Sequence, residues 1–343
     1  MIRFDNDYST GAHPKILEKL IATNDEQHPG YGVDEHCMYA AKLIKDAANT
    51  DGDVHFLVGG TQTNKTIISS MLRPHQAVIA AESGHIAVHE TGAIENTGHK
   101  VITLPETNGK LQLEHVATFV KNYWEDVTFE HMPQPKLVYI SQPTEFGTLY
   151  TKSELQNLYQ FCKANNMYLI IDGARLGYAL AADENDVTLS DLAQYSDVFY
   201  IGGTKVGALF GEAVVITNDD LKTDFRYHIK QQGGMLAKGR LLGIQFQTLF
   251  EDNLYHSISE HAVQLANRLT EAFEKAGIQM KYPSPTNQRF PILTNQQIEQ
   301  LKDKYTFATW EKVDDEHTAV RFCTSWSTKT EDVETLIKDI EGL

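Results

Sequence analysis

Two segments end in groups that could do covalent chemistry together. Tyr168-Leu169-Ile170-Ile171-Asp172-Gly173-Ala174-Arg175 is an apolar run that stops on a carboxylate. Val198-Phe199-Tyr200-Ile201-Gly202-Gly203-Thr204-Lys205 is a second apolar run that stops on small residues and an amine. In an open α/β sheet, ligands sit beyond the carboxyl ends of the strands, so Asp172 and Lys205 should face one cleft. An acid that keeps a ring nitrogen protonated and an amine that forms a Schiff base are the two groups pyridoxal phosphate requires. Either residue alone has a plainer reading, as a helix cap or a solvated surface charge.

Three further constellations accompany the pair. Phe56-Leu57-Val58-Gly59-Gly60-Thr61-Gln62-Thr63-Asn64 reads as a strand, a small-residue turn and a helix start. Such a turn lets backbone N–H groups and the helix dipole meet a phosphate. Gly59 to Lys65-Thr66 also has the length of a Walker A loop, with Asn64 where its second Gly belongs, so a nucleotide site is a competing reading. Gly84-His85 follows another strand. His85 could stack on a flat ring, accept a proton or be structural. His85 and His89 have zinc-ligand spacing, but no third ligand follows at a recognisable offset. Arg321, in Ala319-Val320-Arg321-Phe322-Cys323-Thr324, is a charge in an apolar strand. It suits a bound carboxylate, an internal salt bridge or a snorkelling surface group. Lys230, Lys238 and Arg240 flank Gly233-Gly234 and Gly239, as an anion-binding segment near a subunit boundary or an interdomain hinge would have.

The elements that must position these residues follow from periodicity. Short β-rich runs occur at Val54–Val58, Ala77–Ala81, Val101–Leu104, Leu137–Ser141, Tyr168–Asp172, Val198–Ile201 and Ala213–Ile216. Several are continuously apolar, as strands buried on both faces are. Helical patterns at Asn64–Met71, Ser153–Ala164 and Leu189–Gln194 separate many of them. This alternation predicts an α/β fold with a doubly wound, mostly parallel sheet. After Ile216 the pattern changes to long helical segments at Leu241–Leu249 and Ala262–Ala276. A strand at Ala319–Thr324 and a helix at Lys329–Ile340 follow. The expected organisation is a large cofactor-binding domain over 1–244 and a smaller α+β domain over 245–343.

Totals narrow the function classes. The 343 residues carry a formal net charge of −16 and no basic block. This argues against nucleic acid or an anionic membrane as partner. No window approaches the length of an apolar span, and the first residues have no signal-peptide pattern. Cys37, Cys162 and Cys323 are odd in number and lack metal spacing, as reduced thiols of a cytoplasmic protein would be.

Taken together, the blocks resemble the L-threonine aldolase group of the β-eliminating lyase family, within the fold type I pyridoxal-phosphate enzymes. The matching pieces, in family order, are Phe4-Asp5-Asn6-Asp7-Tyr8-Ser9, Gly30-Tyr31-Gly32-Val33-Asp34, Gly59-Gly60-Thr61-Gln62-Thr63-Asn64, Gly84-His85, Asp172-Gly173-Ala174-Arg175, Gly203-Thr204-Lys205, Lys230-Gln231-Gln232-Gly233-Gly234-Met235 and Val320-Arg321-Phe322-Cys323-Thr324. The resemblance implies that Lys205 bonds to the pyridoxal 5'-phosphate aldehyde and that Asp172 pairs with the ring nitrogen. His85 would stack on the ring and serve as candidate base. Gly60, Thr61 and Thr204 would hold the phosphate. Arg175 would lie near the ring oxygen, and Asn6 with Arg321 would take the substrate carboxylate. Tyr31 and Lys230, with Lys238 in place of an arginine common at position 237, would be offered to a neighbouring subunit of a homo-oligomer, a dimer or tetramer. The implied reaction is retro-aldol cleavage of a small β-hydroxy amino acid. β-Elimination or racemisation on the same cofactor, or a non-catalytic ligand-binding role, are the alternatives. One departure bears on the substrate. Ser141-Gln142-Pro143-Thr144-Glu145-Phe146-Gly147 lacks a histidine that many threonine aldolases carry there.

Overall fold

The computed structural model describes residues 1–343. Its central sheet is built from the apolar runs: β1 (Asp53–Leu57), β2 (Gln76–Ala81), β3 (Val101–Leu104), β4 (Gln134–Ser141), β5 (Tyr168–Asp172), β6 (Val198–Gly202) and β7 (Glu212–Ile216). Strands β2, β6 and β7 are buried at every position. That is why they read as continuous rather than alternating hydrophobic stretches. The sheet order is β1-β7-β6-β5-β4-β2-β3. All neighbours are parallel except β7, which runs antiparallel to both β1 and β6. The mostly parallel sheet expected from the sequence is therefore present with one reversed strand.

Register places the site. Ser141 lies opposite Asp172, and Glu212 lies opposite both Leu57 and Gly202. The carboxyl ends of β1, β4, β5 and β6 and the amino end of the reversed β7 thus share one sheet edge. Alternation then sorts side chains between two layers. Leu169 and Ile171 of β5 join one large core cluster, while Ile170 joins the other with Tyr139, Tyr200 and Val214. The helix Gly60–Met71 packs Ile67, Ile68 and Met71 into this second layer. Two glycines let the chain turn tightly at the edge. A Cβ on Gly173 would sit 1.9 Å from the Tyr200 carbonyl oxygen, and one on Gly202 would sit 2.3 Å from that of Ala174.

Periodicity passes over several helices, including Pro14–Ala22, Glu35–Ala48 and Leu113–Glu125. Glu35–Ala48 shows the reason. Its buried stripe is Cys37, Ala40, Ile44 and Ala48, mostly small side chains with little hydropathic contrast. The local signal is instead the cap, where Asp34 accepts from the Cys37 N–H at 2.9 Å.

The C-terminal unit centres on the strand His317–Cys323, which pairs antiparallel with Gln288–Arg289, Ile292–Thr294 and Ala308–Lys312. Its core holds Phe273, Phe322 and Leu336, and it recruits Phe4 from the opposite end of the chain. The strand Ile2–Arg3 pairs parallel with Tyr305–Thr306. The helix Leu254–Lys275 serves both cores, with Tyr255, Ile258 and Ala262 against the sheet and Leu265, Leu269 and Phe273 in the smaller unit.

One buried ion pair joins the N-terminal segment, the sheet and this unit. Asp7 accepts from Arg175 Nε at 2.7 Å and Nη2 at 3.0 Å, and from Asn287 Nδ2 at 3.0 Å. Burial opposes the Asp7 charge, but Arg175 overcomes it and holds the carboxyl at about 2. A folded pKa below the unfolded value adds stability above about 3.8 and loses it as pH falls towards about 2. Asp7→Asn should be about 3–5 kcal/mol less stable at neutral pH, because it strands a buried guanidinium. Its stability should also fall less steeply than wild type through that acid window. Urea titrations across pH check both, and an equally steep acid decline in the variant would refute the assignment.

Candidate active site

Asp172 closes β5 and is 3% exposed. Oδ1 accepts from the Ala174 N–H at 2.9 Å, and Oδ2 accepts from Asn64 Nδ2 at 3.2 Å and from the Tyr139 hydroxyl. Burial, with the Asp172 charge second, pushes the Tyr139 phenol well above its ordinary range, so it remains a donor. Asn64 is the residue that spoils the Walker A pattern, and its amide supports the acid at the end of β5.

The same amide continues the network. Asn64 Nδ2 also donates to Glu90 Oε1 at 2.8 Å, and that oxygen lies 2.8 Å from His85 Nδ1. A carboxylate acceptor there places a proton on Nδ1 and leaves Nε2 as the working nitrogen. Burial works against the charged imidazole. The Glu90 hydrogen bond, with Glu145 and Asp172 beyond it, prevails and raises the His85 pKa. Glu145 belongs to the loop that lacks the expected histidine.

Lys205 lies in the turn between β6 and β7, half-buried, with no hydrogen-bond acceptor or ion-pair partner for Nζ. Its backbone carbonyl accepts from the Tyr178 hydroxyl at 2.6 Å. Its charge favours the ionised forms of both Asp7 and Glu212. Thr204 donates to Glu212 Oε1 at 2.9 Å and accepts from the Gly211 N–H at 3.0 Å. Its hydroxyl is therefore engaged within the chain. Burial pushes the Glu212 carboxyl up to about 8, against the Thr204 hydroxyl and the Lys205 charge.

The helix Gly60–Met71 begins at this edge. Its cap residue, Gly59, has no side chain to bond the first turn, and the N–H groups of Gly60, Thr61 and Gln62 find no acceptor in the chain. Thr61 is exposed there. These are the donors and the dipole end that a phosphate takes up. The nucleotide reading fails at the same place. The helix starts at Gly60, so Lys65 sits in its second turn and donates to Asn96 Oδ1 at 3.2 Å.

Arg321 and Asn6 meet at Asp5. Arg321 Nη2 donates to the Asp5 carbonyl at 2.9 Å, and Asn6 Nδ2 donates to the Asp5 carboxylate at 2.8 Å. Arg321 Nη1 donates to Gln288 Oε1 at 3.1 Å, its guanidinium lies 5.1 Å from the Trp310 ring centroid, and Nε has no partner. It forms no salt bridge. Arg175, by contrast, is fully committed to Asp7.

Tyr31, Lys230 and Lys238 stand apart on an exposed face. The Lys230 amine lies 4.9 Å from the Tyr31 ring centroid, and Arg226 donates to the Tyr31 carbonyl at 3.0 Å. None of the three bonds to the Asp172 or Lys205 group within the chain.

The chain fits pyridoxal 5'-phosphate on its own donor set. It offers an acid at a strand end, an unpaired amine and three free amides at a helix start. Buried polar atoms without a protein partner gather around them: Asn64 Oδ1, Glu90 Oε2 and Glu212 Oε2. Glu90, Tyr139 and Glu212 escape a motif-based reading, because each gains its role through contacts between distant strands and turns.

A family model for beta-eliminating lyases matches residues 4–296. The low specificity L-threonine aldolase of Pseudomonas sp. (strain NCIMB 10558) is 30% identical over 350 residues, spanning 99% of this chain and 97% of that protein. The enzyme of that name from Pseudomonas aeruginosa is 29% identical, spanning 98% and 96%. The structure of Leishmania major threonine aldolase superposes with a TM-score of 0.97 at 47% identity, covering 100% of this chain and 99% of that one. A Thermus thermophilus aspartate aminotransferase variant shares the fold at a TM-score of 0.73 and 12% identity, covering 100% and 91%. The chain belongs to the beta-eliminating lyase family and is a pyridoxal 5'-phosphate-dependent lyase.

Proposed function

We propose that this enzyme cleaves β-hydroxy-L-amino acids in retro-aldol fashion, taking threonine or allo-threonine to glycine and acetaldehyde. The observation that carries the chemistry is the unbroken chain Asp172–Asn64–Glu90–His85, together with an unpaired Lys205 on the same sheet edge as Asp172. The relatives that span nearly the whole chain are named threonine aldolases, which selects this reaction over elimination and racemisation.

Pyridoxal phosphate, when bound, supplies a sink for the electrons of a bond broken at the substrate Cα. The residues supply everything else. Lys205 would hold the cofactor through its amine, which has no other partner in the chain. Asp172, braced by three donors, would pair with the ring nitrogen and favour its charged form. The amides of Gly60 and Thr61, free at the helix start, would hold the cofactor's phosphate. Arg321 and Asn6 hold the substrate carboxylate, which orients the Cα–Cβ bond for cleavage. His85 Nε2 removes the β-hydroxyl proton, directly or through one water, while Glu90 holds the ring at Nδ1.

The enzyme is proposed to act as a cytoplasmic homo-oligomer, a dimer or tetramer, with Tyr31, Lys230 and Lys238 facing a neighbouring subunit. All three cysteines are buried and free, in keeping with a reducing compartment. No helix is long and apolar enough to cross a membrane.

A panel of β-hydroxy amino acids assayed for glycine release tests the reaction, with serine and alanine as controls for elimination and racemisation. Pyruvate from serine without glycine from threonine would overturn it. Lys205→Ala should lose the borohydride-sensitive visible absorbance of the cofactor. His85→Asn should lower kcat by about 10²–10⁴-fold, and retained kcat would remove His85 as the base. A raised imidazole pKa means that the basic form appears only above the ordinary histidine range, so kcat/KM should rise with pH there. Glu90→Gln removes the chief raising influence, and the rising limb should move to lower pH. An unmoved limb would show that another group sets the profile.

A further inference from the structure

Three metal-ligand atoms converge away from the sheet edge. Glu26 Oε2 lies 2.8 Å from His28 Nε2 and 3.1 Å from His36 Nε2, and all three atoms lie within 4.8 Å of one another. The two imidazole rings meet edge to face, with centroids 5.1 Å apart. Two ring nitrogens thus point at one carboxylate oxygen. Either two N–H donors or a single cation shared by all three atoms satisfies that arrangement.

A second, independent feature favours the cation. His36 Nδ1 lies 2.8 Å from Gln247 Oε1, and Gln247 Nε2 donates to Glu251 Oε1 at 2.8 Å. The Glu251 carboxylate can only accept, so it fixes which way the Gln247 amide faces. That amide offers His36 an acceptor, which puts the ring proton on Nδ1 and the lone pair on Nε2. An outer partner that sets the tautomer and orientation of a ligating histidine is the usual companion of a metal site. Gln247 is buried, whereas Glu26 is open to water. The site therefore has a fixed inner wall and an exposed mouth for a metal and its water.

We propose that Glu26, His28 and His36 bind one Zn²⁺ ion per chain. Two imidazoles and a carboxylate suit zinc and its first-row neighbours rather than Ca²⁺ or Mg²⁺, which take oxygen ligands. Zinc bonds of about 2.0–2.2 Å in tetrahedral geometry space the ligand atoms about 3.3–3.6 Å apart, so small side-chain shifts suffice. A water completes the fourth position.

The site would act as a staple. Glu26 and His28 lie in the loop after the helix Pro14–Ala22, while His36 lies on Glu35–Ala48 and Gln247 on Arg240–Phe250. The loop is held at one end by Arg240, which donates to the carbonyls of Thr23 and Asn24 at 2.7 and 3.3 Å. It is held at the other by the Tyr31 N–H, which donates to the Ala237 carbonyl at 3.2 Å. Zinc would add a tie between these anchors, just before Tyr31.

The test uses the pyridoxal-phosphate-loaded enzyme, freed of adventitious metal by chelator dialysis and titrated with Zn²⁺ against a chromogenic chelator. Wild type should take up one equivalent. His28→Ala and Glu26→Gln, both on the loop and away from the core, should each weaken uptake by roughly tenfold or more. Limited proteolysis should read the staple separately, with zinc slowing cleavage between residues 24 and 30 in wild type and not in His28→Ala. The proposal fails if wild type takes up no zinc, or if both variants bind it as tightly as wild type.

Discussion

A carboxylate buried at a strand end is expensive unless its surroundings meet it, and the arrangement of the site follows from how Asp172 is met. Three donors converge on it from three places: the turn that follows β5, the phenol of Tyr139 on β4 and the amide of Asn64 on the helix after β1. Those donors are neutral. They hold the acid in place and leave its charge without a cationic partner in the chain. In the proposed reaction, a ring with a protonated nitrogen would supply one. The register of β4 and β5 and the reversed β7 serve to bring this acid, the Lys205 turn and the free amides at Gly60 to one edge of the sheet.

The same edge shows how environment separates chemically similar groups. Asp172 receives three hydrogen bonds, whereas Glu212 receives one from Thr204 and keeps Oε2 unpartnered. Burial then dominates at Glu212 and favours its neutral form near neutral pH. Two carboxyl groups of one sheet edge are therefore equipped differently by their neighbours. His85 belongs to the first kind of site, since its position depends on Glu90 and its charge on the acids around it.

Strand ends were legible because sheet strands buried on both faces produce unbroken apolar runs, and each chemical group stands where a run stops. Asp172, Lys205 and the Gly59-Gly60-Thr61 turn were found that way. Pairings between remote segments were not. The contact between Asp7 and Arg175 spans 168 positions, and no local pattern at either residue announces it. Glu90 looks like an ordinary acidic residue after a short helix until the fold brings Asn64 beside it. The helix Glu35–Ala48 escaped for a different reason, because small buried residues leave little periodic contrast. The resemblance to the aldolase group reached further than periodicity did, yet it could not say that the Thr204 hydroxyl is engaged by Glu212.

The two arginines attributed to the site illustrate what only packing can decide. On sequence grounds Arg321 is expected to face a substrate carboxylate and Arg175 to lie near the ring oxygen. Arg175 meets Asp7 with two hydrogen bonds in a buried pair, so its charge is already balanced. Arg321 meets a backbone carbonyl, a neutral amide and the face of Trp310, with Nε unpartnered. Each of these contacts orients the guanidinium without neutralising it. A cation held still by neutral groups retains its full attraction for an anion that arrives later. Asn6 stands beside it through Asp5, and the segment that carries both Asp5 and Asp7 also pairs with Tyr305–Thr306 of the C-terminal unit through Ile2–Arg3. The N-terminal residues thus sort the arginines physically: Asp7 neutralises Arg175, and Asp5 offers only its carbonyl to Arg321, whose charge stays unpaired.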